Sequence, residues 1–467
     1  MIFDTIVAKT TANGVSAINL IRVSGTESIE IVNKIFKGKD LTKQKSHTIH
    51  YGYIFKEEEQ IDEVLVYIYR APKTFTKEDI IEIACHGGNL IANEIIKLII
   101  ANGARLAENG EFTKRAYLNG RLDLTEAESI MDMVNAKNYN QLKIANSQLR
   151  GDVLKLVENL QNDVLDIIAN IEVNIDYPEY DDVEEMTNDI IIPNIKILKE
   201  KIETILRESQ TGQIIRDGIK TVIVGKPNVG KSSLLNSLLK EDKAIVTEIS
   251  GTTRDLIEAE LNLDGVILKL IDTAGIRSTE DIVEKIGINK SKKAIEEADL
   301  ILLVLDQSES LTDTDKELLS ITSQKPRIII GNKIDLGSKI SLENEHIINI
   351  SVKNNIGLDK LSDEVKRLFI DEKLLNDDFT ILSNTRHIGK LEETKKALSQ
   401  ALDSAYDLIP IDMVEIDLRN AWTYLGEITG ENSSDDLIST LFSKFCLGKW
   451  CFMWNYKKTM QIKCIVF

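Results

Sequence analysis

Cysteine is scarce in this chain: four in 467 residues (Cys85, Cys446, Cys451, Cys464), at spacings that suit neither a metal centre nor a disulfide framework. A reducing cytoplasm fits such a chain. No apolar run is long enough to span a bilayer, and Met1 is not followed by a basic, apolar, small-residue leader, so no membrane role is expected. Positive charge is short too, with 57 basic against 75 acidic residues and a net charge of −18. Such a chain repels polyanions at long range, which argues against sequence-independent nucleic-acid binding. An RNA substrate would require a local basic patch or a basic partner protein. What is present is 43% hydrophobic residues, enough at this length for more than one domain.

The most specific pattern is Gly225-Lys-Pro-Asn-Val-Gly-Lys-Ser232, between the apolar run Thr221–Val224 and a helical run from Ser233 to Leu239. Strand, glycine-rich loop and helix in that order form a phosphate loop. Its backbone N–H groups turn inward at a helix N-terminus whose dipole favours negative charge. Lys231 can reach the terminal phosphates and Ser232 can ligate Mg²⁺. Downstream, Val266–Ile271 ends in Asp272-Thr-Ala-Gly275, a carboxylate at a strand tip with room at Gly275 for an approach to the γ-phosphate. Further on, Arg327–Ile330 leads into Gly331-Asn-Lys-Ile-Asp335. The Asp335 carboxylate can accept from a ring N–H and an exocyclic NH₂ together, a pair that guanine presents and adenine lacks. Ser351-Val-Lys353, after the strand-like His346–Ile350, is placed to close over the base. Three pieces in this order point to GTP.

Ile276 stands where a water-orienting glutamine could have been, so water must be positioned from elsewhere. Acidic candidates are Glu280, Asp281 and Glu284; Arg254 and Arg277 are the nearest arginines. Ala244–Asp255 reads as a first switch that offers the Thr252 and Thr253 hydroxyls.

The segments GKPNVGKSSLLN, AIVTEISGTTRD, DTAGIR and NKID resemble the MnmE (TrmE) family of bacterial tRNA-modifying GTPases, and less closely its TrmE–Era–EngA-like relatives in ribosome assembly. The resemblance implies a GTP shell of Asn228, Val229, Gly230, Lys231, Ser232 and Ser233, then Thr247, Glu248, Ile249, Ser250, Gly251, Thr252 and Thr253. It continues through Asp272, Thr273, Ala274 and Gly275 to Asn332, Lys333, Asp335, Ser351, Val352 and Lys353. Mg²⁺ falls to Ser232 and Thr253, and K⁺ to Asn228, Thr247, Ile249 and Thr252, where it supplies the charge of an arginine finger. Asn228 and Lys231 are thereby catalytic, and the family's water-orienting glutamate matches Glu284.

Around this unit the pattern changes. From Thr125 to Ile175 apolar residues recur at helical spacing, followed by an acidic connection, Asp176–Glu185. Helical pattern returns at Ile190–Leu206, Leu391–Leu408 and Val414–Ile428. Residues 1–120 carry strand-like runs at Ala17–Val23, His47–Phe55, Val64–Tyr69 and Ile80–Ala84, with a helix over Leu90–Ala101. The expected architecture is multidomain: an α+β N-terminal domain (1–120), an all-α domain in two parts (121–214 and 373–449) and an inserted α/β phosphate-loop GTPase domain (215–372). Residues 450–467 form an atypical tail with two of the three tryptophans and no acid, read as a read-through or frameshift product, or else an added anchor.

In the N-terminal region Arg22, Glu82 and Arg121 are the polar residues near turns, each by itself an ordinary ion pair or surface charge. His86 could act as a base, with a loop-supporting role preferred. The stretches around FT-ED-IE-HGG and GEFTKRAYLNGRLDL also resemble the family, whose domain binds a tetrahydrofolate derivative (5-formyl or methylene) and forms a constitutive homodimer. That resemblance assigns Arg22, Glu82, Arg121 and Lys449 to folate, with Cys446 of Cys446-Leu-Gly-Lys449 as a thiol candidate; the residues after Lys449 put its role in question. The implied function is GTP-dependent addition of an aminomethyl or carboxymethylaminomethyl group to C5 of the wobble uridine in certain tRNAs. It would act with an FAD-carrying flavoprotein of the MnmG (GidA) type in a heterotetramer. The alternatives are a ribosome-assembly switch that binds ribosomal RNA and a GTP-regulated scaffold.

Overall fold

The computed structural model describes residues 4–176, 188–240, 244–245, 259–271, 293–342, 345–370, 380–431, 435–443 and 445. They fall into two compact units: the described residues up to Met131 together with those from Thr429 onward, and Asp132–Ile428.

The first unit is built on a seven-stranded sheet in the order β3-β4-β5-β6-β2-β1-β7. Its strands are β1 (Ile6–Lys9), β2 (Ile18–Ser24), β3 (Phe36–Lys37), β4 (Thr48–Lys56), β5 (Glu59–Tyr69), β6 (Ile80–His86) and β7 (Arg105–Leu106). All neighbours are antiparallel except β1 and β7. Helices α1 (Ser28–Ile35) and α2 (Asn89–Ala101) bury Ile29, Val32, Ile95 and Ile99 against Val23, Val66, Ile81 and Ile83 on one face. The other face is split. Near β1 it is closed by Phe75, Ala107 and Phe112. Toward β4 it is open, with Ile18, Ile49, Tyr51 and Leu65 at least 40% exposed. Helices α3 (Glu111–Leu118) and the start of α4 (Leu124–Asn135) belong to this unit. The C-terminal helix (Asp435–Ser443) joins them, through Leu124, Ala127, Ile438, Phe442 and Phe445. The described residues after Thr429 therefore pack with the N-terminal residues, although their sequence reads as the end of the all-α part.

The second unit holds a seven-stranded sheet and a helical bundle. Its strands are β8 (Ile219–Val224), β9 (Ala244–Ile245), β10 (Ala259–Leu263), β11 (Val266–Leu270), β12 (Leu300–Asp306), β13 (Arg327–Asn332) and β14 (Ile347–Asn349), in the order β14-β13-β12-β8-β11-β10-β9. The five strands from β14 to β11 are parallel, and β10 and β9 are antiparallel. Every residue of β12 is buried, as a central parallel strand covered on both faces requires. β8 is followed in sequence by elements on both its sides, so the loop leaving it lies at the switch point where such sheets bind ligands.

The bundle comprises α5 (Tyr139–Leu149), α6 (Asp152–Asp176), α7 (Asn188–Asp217) and two helices after the sheet, Thr385–Tyr406 and Ile411–Thr429. Its core joins Val157, Leu160, Val164 and Ile168 to Ile195, Ile202, Leu398, Leu402, Leu418 and Leu425. The helical spacing read over Thr125–Ile175 is divided among three helices, α4, α5 and α6. Asn138 caps α5 by accepting from Gln141 N–H, and Gly151 at φ +81° ends it. The acidic connection lies, apart from Asp176, outside the described residues.

Candidate functional site

The phosphate loop is set between β8 and α8 (Lys231–Lys240). Two of its glycines are required by contact. A Cβ on Gly225 (φ +156°) would lie 2.4 Å from the Val304 carbonyl oxygen, and one on Gly230 (φ +100°) would lie 2.3 Å from Asn332 Nδ2. Asn228 takes φ +64°, a left-handed conformation that asparagine tolerates. Lys231 Nζ donates to the Gly225 and Lys226 carbonyls at 2.7 and 2.8 Å, and burial holds its ammonium below the usual lysine range. A partly desolvated cation at a helix N-terminus is a cradle for a polyphosphate. Ser232 and Ser233 occupy the first turn of α8, exposed on the loop side.

The segment expected to read the base follows β13 and is tied to the phosphate loop by one side chain. Buried Asn332 donates from Nδ2 to the Val229 carbonyl (2.8 Å) and accepts from Val352 N–H (3.2 Å). Lys333, at φ +65°, reaches Asp306 Oδ2 at the tip of β12 (2.7 Å). Burial alone would raise the Asp306 pKa, but hydrogen bonds from Lys333 and Ser308 outweigh it and hold the carboxyl below its usual range. Asp335 accepts from the fully buried Ser351 hydroxyl (2.6 Å), which aims the carboxylate. Asn228 to Ser233, Asn332, Lys333, Asp335, Ser351, Val352 and Lys353 thus gather at the C-terminal edge of the sheet. Ser351 is an orienting residue for Asp335, a role the sequence reading did not foresee. Asp306 was missed altogether, although an acid at the end of an unbroken apolar run was a signal.

Several expected site residues lie outside the described residues: Thr247, Glu248, Ile249, Ser250, Gly251, Thr252, Thr253, Asp272, Thr273, Ala274, Gly275, Glu284, Cys446 and Lys449.

A second polar centre lies in the first unit. Arg22 on β2 and Glu82 on β6 are register partners and form a buried ion pair at 2.8 Å. Phe75 has the Arg22 guanidinium 5.2 Å from its ring centroid and that of Arg121 at 4.8 Å, and Arg121 also donates to the Phe75 carbonyl (2.8 Å). Arg22, which holds Glu82, and Arg121 therefore meet at one aromatic ring. His86 pairs with a carboxylate. Its side chain is 67% exposed, and buried Asp62 takes both its backbone N–H (2.8 Å) and Nδ1 (2.6 Å). The Asp62 hydrogen bond, then its charge, raises the His86 pKa. The pair therefore stabilises the fold fully below the unfolded histidine value near 6.5, and that contribution is lost as pH rises through the folded midpoint. An NMR titration should place the His86 midpoint above 6.5, and Asp62→Asn should bring it down. Equal midpoints in the two proteins would remove the pair. Cys85 is buried on the same strand; burial, helped by Asp62, pushes its thiol up to about 11, which leaves it unreactive.

Comparison with known proteins bears on both centres. The description "GTP-binding protein TrmE N-terminus" matches residues 5–121, and "MnmE helical domain" matches residues 124–446. The chain is 52% identical over 451 residues to the tRNA modification GTPase MnmE of Streptococcus thermophilus, covering 96% of this chain and 99% of that one. It belongs to the MnmE family. The MnmE of Bacillus cytotoxicus is 51% identical over 458 residues, covering 96% of this chain and all of that one. A solved structure of an Aquifex aeolicus Era variant bound to GDP and AlF₄⁻ is 28% identical over 38% of this chain and 66% of that one. Its TM-score of 0.25 is too low to argue from. Membership makes the chain one of a family of tRNA modification GTPases, with a TrmE-type N-terminal domain, a helical domain and a phosphate-loop unit.

Proposed function

We propose that this chain hydrolyses GTP in support of tRNA modification at C5 of the wobble uridine, adding an aminomethyl or carboxymethylaminomethyl group. It does so in the cytoplasm with an FAD-carrying flavoprotein of the MnmG type. The observation that carries the GTP reading is the Asp335 carboxylate, aimed by Ser351 and joined to the phosphate loop through Asn332. A guanine base would complete the acceptors, while Lys231 and the N-terminus of α8 hold the phosphates. Mg²⁺ is assigned to Ser232 and Thr253. K⁺ is assigned to Asn228, Thr247, Ile249 and Thr252, and Glu284 orients the attacking water. The exposed position and left-handed backbone of Asn228 support its part. K⁺ would place positive charge where it grows on the phosphates in the transition state. Exchange of K⁺ for Na⁺ should therefore lower the GTPase rate by about tenfold or more while GDP affinity is kept; equal rates in both salts would reject the assignment.

The Arg22–Glu82–Arg121 centre, with Lys449, is assigned to a tetrahydrofolate derivative, which would supply the one-carbon unit. A guanidinium suits a ligand carboxylate, a buried carboxylate suits pterin N–H donors, and Phe75 offers an aromatic ring beside Arg22 and Arg121. The open sheet face at Ile49, Tyr51 and Leu65 favours a homodimer through the N-terminal domain. No described helix is long and apolar enough to cross a membrane. A ribosome-assembly switch would share the GTPase motifs, but the family matches across residues 5–446 favour tRNA modification. Mass spectrometry of tRNA nucleosides from cells with and without this chain tests the proposal. Loss of the C5-modified uridine is expected, and its full retention would overturn the function.

A further inference from the structure

A strongly acidic chain that serves tRNA needs a place where the charge reverses. Between Glu30 and Glu57 there are six lysines and a single acid, Asp40. Five of the lysines, Lys34, Lys37, Lys39, Lys43 and Lys45, crowd into the edge strand β3, the end of α1 and the loop that leads to β4, and all are exposed. Only Lys43 has an ion pair among the described residues, with Asp40 at 3.0 Å. Like charges left unneutralised on one loop cost self-repulsion, which a polyanion would relieve.

The loop is held in shape from beneath. Leu41 is fully buried, and its N–H donates to Asn33 Oδ1 (2.8 Å). Arg70 donates to the carbonyls of Thr42 (2.7 Å) and Gln44 (3.1 Å), and Gln44 Nε2 returns to the Asp40 carbonyl (2.7 Å). Lysine ammoniums on a fixed backbone lose less freedom on binding than those on a loose tail. The charge is felt locally: burial first, then Lys39, holds the pKa of His50 on β4 below its usual value. Outside the segment the flanking acids are Glu30 on α1 and, past the C-terminal end of β4, Glu57, Glu58 and Glu59. The apolar residues of the segment, Ile35, Phe36 and Leu41, are buried, which leaves none of them to enter a lipid surface.

We propose that the loop between β3 and β4, with Lys39, Lys43 and Lys45 at its centre, is the surface by which this chain grips the tRNA phosphate backbone. The inference rests on the tRNA reading above and adds a location to it. The test is anisotropy of fluorescent unmodified tRNA with the full chain over a KCl series. It compares the natural protein, the triple variant Lys39→Ala, Lys43→Ala, Lys45→Ala and the matching triple arginine variant. The alanine variant should bind about tenfold or more weaker, with its log–log salt slope flattened by roughly two to three. Its GTPase rate should be unchanged, which also shows that it folds. The arginine variant should bind as the natural protein does. If the alanine variant binds as tightly as the natural chain, this surface is wrong and the tRNA reading stands. If the natural chain alone binds no tRNA at low salt, or prefers anionic lipid vesicles, the surface is likewise overturned. The nucleoside comparison then judges the tRNA reading separately.

Discussion

Asp335→Asn should lower GTP affinity by about three orders of magnitude, roughly 4 kcal/mol, while the fold is kept. The reason is geometric as well as electrostatic. Asp335 is aimed by the buried Ser351 hydroxyl at 2.6 Å, so its carboxylate meets the base without reorganisation. Two hydrogen bonds to a charged acceptor contribute about 1.5–3 kcal/mol each. An amide keeps one acceptor oxygen and turns an N–H donor toward the guanine donors, so one bond is lost and a donor faces a donor. The same change creates a match for xanthine, which carries a carbonyl where guanine has its amino group. Xanthosine triphosphate should therefore bind the variant better than GTP does. Calorimetry with both nucleotides decides the matter: unchanged GTP affinity would falsify the base assignment.

The second large effect is expected at Gly230. Alanine there would hold a residue at φ +100° and drive its Cβ to within 2.3 Å of Asn332 Nδ2. Strain of about 1–3 kcal/mol and loss of the Asn332 bond to the Val229 carbonyl, left unsatisfied at a similar cost, both fall on the phosphate loop. GDP and GTP affinity should drop by about a hundredfold or more, with a lower urea midpoint for the second unit. Gly389→Ala serves as the control, because nothing lies within 4 Å of its would-be Cβ and it sits in a helix. That change should leave binding untouched and stabilise slightly, by about 0.5–1 kcal/mol. Equal affinities in the two variants would mean that Asn332 does not brace the loop.

The phosphate loop and the Asn332–Asp335 segment were legible in advance because their parts are local. A strand, a turn with glycine at forced positions and a helix N-terminus are contiguous in Gly225–Ser232, and Asn332 to Asp335 sit at the end of one strand. The Arg22–Glu82 pair was legible only as two charges. They meet because β2 and β6 pair with Arg22 opposite Glu82, sixty residues apart. Helix ends in the bundle were blurred because apolar periodicity runs across Asn138 and Gly151, while the caps that stop the helices depend on single side chains and one positive φ.

Motif order, charge balance and apolar period were enough to say that this chain is multidomain, carries a phosphate loop and is a GTPase, since each follows from neighbouring residues and their chemistry. Tertiary structure alone decided that Asn332 bridges the base segment and the phosphate loop, that Ser351 aims Asp335, and that Phe75 lies beside both Arg22 and Arg121. It also placed the helix Asp435–Ser443 with the N-terminal residues. These are contacts between residues far apart in the chain, set by strand register and by which apolar faces bury one another. No window of sequence contains both partners.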